Sequence, residues 1–493
     1  MRASFTILML WMAVSLVGQD TSYYYSIGTD GNDEAIYGAE VNGRFVVFGN
    51  TGQVGSGGSD IYILHFDEGF KVDSFSVIGS SANERLVDVA TNSMGLNYLL
   101  VSYYDGYSET DYDYELIVLD SSFNELSIKL IEEEGTQNPI QIQVSNELIY
   151  VLSKTISGTD ESSYSLTSFD FDLDKVDEFS IEGFDSLTVA SFYIADDIVI
   201  FGSHKPIDSN NLDFIVLKYN VQGDLINQKS LGFKRNEIPE SIYGYQDSTF
   251  FIVGSSNSRF DEDYDAFIGL MRLDEMELIW SKTLGWNPNV TNRDEFGINS
   301  VIGSNKNIYF GLTTETYGEG GDDFHCYELQ QDGSYIQGNS FGLSTDEVLV
   351  QLIALADSSL LFLGNTESNN GGPSDVFIVR TKNIGFGNEI KFESIRDTVS
   401  IVDLVTSIAL TDDQAKGGDF EVLQSGKVLS VLYGRESQNE RVRLYIYGIN
   451  GNLIYTDDLQ NGRLDVLGLK TGLYFLKLES SVWTIPSKKI FKY

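Results

Sequence analysis

The chain has 493 residues, with 73 Asp+Glu against 32 Lys+Arg and a formal net charge of −41. That charge repels nucleic acid and anionic membrane surfaces, so neither is an expected partner. One cysteine, Cys326, excludes intramolecular disulfides and Cys-rich zinc sites, and 47 Gly, 28 Tyr and 30 Phe against 6 Pro favour strands and turns over helices.

Residues 1–18 read as a signal peptide. Arg2 supplies a positive start, and Phe5 to Val17 is an apolar stretch ending near Gly18 and Gln19. The stretch is short for a membrane span, which needs about 20 apolar residues. No later segment approaches that length, so the mature chain is expected to lack a transmembrane span and to leave the cytoplasm.

Residues 19–384 are built from a repeat of about fifty residues. Asp60–Gly79, Asp213–Gly232, Asp265–Gly285 and Asp322–Gly342 each hold two strand-like runs, a turn and a closing glycine. Another strand pair precedes each of them, as in Glu34–Val41 and Arg44–Thr51 around the Asn42-Gly43 turn, a strong hairpin signal. Each unit is therefore four strands, A to D. Closing positions fall at Gly28, Gly79, a degenerate copy near Glu132, Gly183, Gly232, Gly285 and Gly342. The seventh unit, after Gly342, stops short of its fourth strand. Tyr23–Gly28 matches the D-strand pattern and supplies it, which closes a ring and leaves no unpaired end blade. The expected fold is all-β, a seven-bladed β-propeller. The units resemble the Asp-and-Gly propeller repeats of secreted bacterial proteins, as in Gly49-Asn50-Thr51 followed by Asp60.

Residues 385–419 read as a linker. From 420 to 493 the charge reverses, with 10 Lys+Arg against 7 Asp+Glu, which marks a separate module. Val442–Tyr455 forms a hairpin across Asn450-Gly451, Leu464–Leu478 carries Asp465, Leu469, Gly472 and Tyr474 in a fixed pattern, and the chain ends in a basic strand with Lys488 and Lys489. This order closely resembles the type A C-terminal sorting domain of the type IX secretion system. The resemblance implies a small β-sandwich-like domain and engagement of the type IX secretion machinery. It further implies export through the periplasm and across the outer membrane of a Bacteroidota-type bacterium. The sorting domain would then be removed, with the propeller left on the cell surface or released.

Chemistry is harder to find. His65 and His325 fall in C strands as half-exposed positions, and His204 falls in a B–C loop. Cys326 follows His325 along a strand, so the two point to opposite faces and form no nucleophile pair. The sequence has no phosphate loop, zinc-protease helix or Gly-x-Ser-x-Gly elbow. Asp170, Asp172 and Asp174 have a calcium-loop spacing but align with a C–D hairpin. The variable B–C loops share one face with the D–A connections, the usual place for a binding surface. In blade two that loop offers Tyr103, Tyr104, Tyr107 and Tyr112, whose rings suit a glycan or a protein side chain. Acids at the A-strand starts, Glu34, Glu84, Glu237, Glu295 and Glu347, are expected to ring the mouth of the central channel and to hold calcium. The reading is a secreted or surface-displayed binding protein with an unknown extracellular protein or glycan ligand, more an interaction module than an enzyme. The alternative is a carbohydrate-active hydrolase or lyase using carboxylates on the same face.

Overall fold

In the computed structural model the chain is described from residue 23 to residue 384, apart from short turn and loop segments, and in the strands between residues 420 and 492. The expected leader and linker lie outside the described residues. Seven four-stranded antiparallel sheets follow one another, and the described elements are all strands. Blade 1 consists of Asp33–Val41, Arg44–Thr51, Asp60–Phe66 and Val72–Ile78, its strands A to D. Blades 2 to 6 run from Asn83 to Ile131, Thr136 to Ile181, Thr188 to Leu231, Glu237 to Leu284, and Glu295 to Phe341.

Blade 7 supplies three strands, Glu347–Ala354, Leu360–Thr366 and Asp375–Thr381, and its fourth is Tyr23–Ile27 from the other end of the chain. Tyr25 pairs with Ile378 and Ile27 with Val376. Both side chains are buried in a cluster that joins Leu361, Leu363 and Ile378 of blade 7 to Phe45, Leu64 and Phe66 of blade 1. The closing strand therefore completes one blade and also seals the junction with the next.

The other cores have the same logic. Phe324 and Phe341 of blade 6 pack against Leu352, Phe362 and Phe377 of blade 7. Strands B and C are covered by a neighbouring blade on each face, so they read as near-continuous apolar runs, such as Ile61–Leu64. D strands have an outer edge and leave Leu126, Ile128, Leu225 and Ile226 exposed.

Each A strand carries a bulge, between Ala35 and Tyr37 in blade 1 and at the matching place in the other six, and that of blade 5 has a second between Gly244 and Gln246. A bulge re-aims the next side chain. Here it sends that side chain to the backbone of the following blade. Asp88 accepts from Ile142 N at 3.0 Å, Gln141 from Phe192 N at 2.7 Å, Ser191 from Ile242 N at 3.3 Å, Asn299 from Leu352 N at 2.8 Å and Gln351 from Gly38 N at 2.8 Å. Ser241 reverses the sense and donates to Ile298 O at 2.7 Å. Blade 1 reaches blade 2 through Asn50, whose amide oxygen accepts from Leu86 N at 2.7 Å.

The C–D hairpins place one residue in the left-handed region. Blades 4 and 6 use Gly223 and Gly333 there, whereas blades 1, 2, 3 and 5 use Phe70, Phe123, Leu173 and Met276. Phe70, Leu173 and Met276 are buried and Phe123 is half-buried. The left-handed backbone costs roughly 1–2 kcal/mol, and burying a large apolar side chain offsets it with about 1.5–3 kcal/mol.

In the tail, Phe420–Ser425, Val428–Tyr433 and Arg463–Leu467 form one sheet. Leu453–Asp458, Arg443–Gly448, Gly472–Glu479 and Thr484–Lys492 form another, in that order.

Tyr25→Ala removes a buried aromatic ring from a sealed junction and is expected to destabilise the propeller by about 3–5 kcal/mol, read by chemical denaturation. Deleting residues 23–28 should lower the melting temperature further still, and an unchanged transition would contradict the closure.

Candidate functional site: the face of the B–C and D–A loops

The start of every A strand, the end of every B strand and the start of every C strand lie on one face. In five of the seven junctions the sequence places three marks there: a C-strand aspartate, a closing glycine and an acid opening the next A strand. The structure shows how they fit. A methyl group on Gly28, Gly79, Gly232 or Gly342 would run into the carboxylate of Asp375, Asp60, Asp213 or Asp323 respectively. Gly285 is crowded by both Glu295 and Asp265. The closing glycine is there because the aspartate side chain occupies the space of a Cβ.

The acid opening strand A is buried and fastens the crossover. Asp33 accepts from the Thr29 hydroxyl at 2.6 Å, and Glu84 accepts from Ser80 N at 3.0 Å and from the Ser80 hydroxyl. Leu343 N donates to Glu347. On the other side the same carboxylates take a hydroxyl from the end of their own B strand: Ser256 to Glu237 at 2.8 Å, Thr314 to Glu295 at 3.1 Å and Thr366 to Glu347 at 2.6 Å. The backbone completes the link. An N–H within the first two residues of strand A donates to the carbonyl just before strand C of the preceding blade: Asp33 to Ser374, Glu84 to Ser59, Gln137 to Tyr112, Glu237 to Leu212, Glu295 to Tyr264 and Glu347 to Asp322.

Four of the acids expected to hold calcium sit inside the blade junctions. Glu84, Glu237, Glu295 and Glu347 occupy equivalent places, and each is at most 3 % exposed and held at its own blade junction. Glu34 is one residue out of register. The equivalent residue in blade 1 is Asp33, which pairs with Thr51 as Glu347 pairs with Thr366. Glu34 itself makes an ion pair with Arg85 of blade 2 at 2.7 Å. Among the described residues no three His, Cys, Asp or Glu side chains are grouped to hold a metal ion.

Burial raises several of these acids. Glu295, enclosed and beside Asp265 and Asp294, is pushed up to about 8. Burial also pushes Asp88, in the inner ring of latches, up to about 7. Glu240 is the bulged residue of its A strand, and desolvation raises it to about 7.

Of the tyrosines singled out, Tyr103 and Tyr104 end strand B of blade 2 and Tyr112 immediately precedes strand C. Tyr104 and Tyr112 stack, with ring centroids 5.0 Å apart and planes 27° apart, and Tyr112 is 37 % exposed. Tyr107 lies outside the described residues. His204 is the last residue of its B strand and its Nε2 is 2.9 Å from the Ser230 hydroxyl. His65 is half-buried on its C strand. His325 departs from the half-exposed position expected of it. It is 4 % exposed, between the rings of Tyr317 and Tyr327, with Nδ1 2.7 Å from the Ser340 hydroxyl. Burial lowers its pKa to about 3, so it stays neutral. Cys326 points to the opposite face, into the core between blades 6 and 7. Asp170 caps its hairpin by accepting from Asp172 N at 3.0 Å and Asp174 N at 2.8 Å, the turn function that alignment with other blades indicates.

In the tail, Asp465 pairs with Ser430, Gly472 with Lys492, Tyr474 with Ile490, and Lys488 and Lys489 with Leu476 and Phe475. Gly451 and Leu469 lie outside the described residues. Residues 428–492 match the family of secretion system C-terminal sorting domains. No curated protein matches the sequence. Similar solved structures include the subtype N10 neuraminidase-like protein of A/little yellow-shouldered bat/Guatemala, at 9% identity over 61% of this chain and 95% of that one, with a TM-score of 0.37. The β-propeller domain of the Trilobed protease from Pyrococcus furiosus aligns at 12% identity over 74% and 98% of the two chains, TM-score 0.44. Pyrococcus horikoshii acylaminoacyl peptidase aligns at 11% identity over 82% and 58%, TM-score 0.44. The tail marks the chain for type IX export to the cell surface or the extracellular space.

Gly342→Ala would force Asp323 out of its place and is expected to destabilise by about 1–3 kcal/mol. Gly52→Ala meets nothing closer than 3.7 Å and is expected to be near neutral. Denaturation of the two variants side by side checks the difference, which vanishes if the closing glycines serve only chain flexibility.

Proposed function

We propose that the propeller is a binding module carried to the cell exterior by its sorting tail, and that it works through the loop face of the ring without catalysing a reaction. The observation that supports this is what the acids do. The carboxylates that converge, such as Asp265 with Glu295 and Asp323 with Glu347, are buried and recur from junction to junction. A hydrolase or lyase needs one accessible pair, placed once. A pair repeated around the ring serves the ring.

The stacked Tyr104 and Tyr112 give that face an aromatic contact point at the edge of the longest tyrosine-rich loop. Such rings offer flat apolar surface at low entropy cost to a sugar face or a partner side chain. The ligand class is therefore an extracellular glycan or protein, met after export.

Two measurements test the two halves separately. Deleting residues 428–492 should leave a folded propeller held in the periplasm of the native host, and normal appearance at the surface or in the medium would contradict the export assignment. For binding, the purified propeller is titrated against a panel of polysaccharides and against whole cells stripped of it. Replacing both Tyr104 and Tyr112 with Ala should weaken the interaction found. An aromatic hot spot is worth about 2 kcal/mol, roughly thirtyfold in affinity, with the melting temperature unchanged. Full affinity in that variant would move the site off this face.

A further inference from the structure

The loop face is not electrically uniform. Its B–C loops and crossovers hold five basic residues, Lys205, Lys234, Arg235, Arg259 and Arg293, and all five belong to blades 4 and 5 or to the crossovers that leave them. Blade 4 has the densest part. Its B–C loop, residues 205–212, and the crossover to blade 5, residues 232–236, carry Lys205, Lys234 and Arg235 against one acid, Asp208, in a chain of net charge −41.

The two segments are built into one surface. Asn211 Nδ2 donates to Lys234 O at 2.6 Å, Leu212 N to Asn236 Oδ1 at 3.0 Å and Glu237 N to Leu212 O at 2.9 Å. Within the loop, Ser209 N donates to Pro206 O at 3.0 Å and Asn211 N to the Ser209 hydroxyl at 3.0 Å. Asn236 N donates to Asn257 Oδ1 at 2.8 Å, which fastens the crossover to blade 5. The strand-opening acids are occupied within the junction: Asp213 packs against Gly232, and Glu237 is buried and accepts from the Ser256 hydroxyl. What the frame presents to solvent is apolar and basic. Ile207 is 96 % exposed and Phe233 45 % exposed, and Lys205 and Lys234, two residues and one residue away along the chain, are exposed as well. The Phe233 ring rests on the buried Phe267 of blade 5, with centroids 5.8 Å apart, so it is supported from beneath.

A supported, exposed ring offers a flat apolar surface to a sugar at little entropy cost. Ammonium groups on the two joined segments attract carboxylate or sulfate substituents. We propose that blade 4 and its crossover to blade 5 bind an anionic polysaccharide, with a sugar ring on Phe233 and Ile207 and its acidic groups at Lys205 and Lys234. This rests on the reading of the loop face as a binding surface, names the ligand class, and places the charged contact away from the tyrosine pair of blade 2. The blade 2 loop, with Asp105, Glu109 and Asp111, repels the same ligand, which sets its position on the ring. An acidic peptide would satisfy the lysines but brings no repeated flat face for the ring.

The test titrates the full chain with dextran sulfate and polygalacturonate, with uncharged dextran as control and polyglutamate as the acidic-peptide arm. Both anionic polysaccharides should bind and weaken as salt rises, and dextran and polyglutamate should bind about tenfold more weakly or less. Lys205→Gln combined with Lys234→Gln should cost about tenfold in affinity for the anionic polysaccharides, with the melting temperature unchanged. Phe233→Ala should cost about as much again, and Phe233→Tyr, which keeps the ring, should retain binding. Equal affinity for dextran and dextran sulfate, tighter binding of polyglutamate, or full affinity in the lysine variant overturns the proposal. Tyr104→Ala with Tyr112→Ala separates it from the wider reading. Polysaccharide binding lost there and kept in the lysine variant removes this site while leaving the loop face as a binding surface. Binding to none of the polysaccharides overturns this proposal and leaves the wider reading to the whole-cell titration.

Discussion

Everything in the ring depends on how the chain crosses from one blade to the next. A crossover must leave the outermost strand, return to the centre and start a new sheet without stranding its backbone groups in an apolar core. In this protein a buried carboxylate organises that passage. It takes an N–H or hydroxyl from the residue after the closing glycine on one side and a hydroxyl from the end of its own B strand on the other. Burying an acid is costly unless it is hydrogen-bonded, and the donors are supplied by chain segments that have to be brought together. The cost becomes specificity, because only the correct junction satisfies the acid.

Two further rings of contact work at other radii. Near the axis, the bulged A strands pass a polar side chain to the backbone of the next blade, from Asp88 to Ile142, Gln141 to Phe192 and Gln351 to Gly38. Between the blades, aromatic and aliphatic side chains of both neighbours merge into shared clusters. The rim acids, the inner latches and the apolar fill all cross the same boundaries, so a blade is stable only beside another blade. Closure by Tyr23–Ile27 follows from this, since an open ring would leave one boundary without its partner. Two junctions depart from this. Gln137 stands in place of the acid between blades 2 and 3, and between blades 3 and 4 register places Leu187 there, while a Cβ on Gly183 would meet nothing within 4 Å.

Much of this was legible in the residues. The fifty-residue period, the four strands per unit and the N-terminal closing strand all rest on turn chemistry and apolar runs, which are local signals. The tail was legible because its motifs stand in a fixed order at the end of the chain. Burial of the rim acids was not. An acid reads as a solvated residue unless its donors are known, and here those donors are a threonine or serine about twenty residues on and a backbone N–H four residues back. Glu34 was taken for Asp33 because two acids are adjacent, and only pairing with Thr51 tells them apart. His325 was placed at a half-exposed position because alternation along one strand does not reveal that blades cover both faces of strand C. The closing glycines were visible as a pattern, but their reason, the aspartate filling the space of a Cβ, belongs to the next sheet element and not to the glycine's own neighbours.

The central claim is that acid-organised crossovers hold the blades together, and native-state hydrogen exchange of the backbone amides addresses it most directly. The N–H groups of Asp33, Glu84, Glu237, Glu295 and Glu347 cross a junction, and the account predicts that they exchange only through global opening, among the slowest in the molecule. Amides at the start of strand A in blade 4, where the acid is replaced by Leu187, should exchange faster through local opening. Equal protection at all seven crossovers, or faster exchange at the five acidic ones than at blade 4, would contradict it.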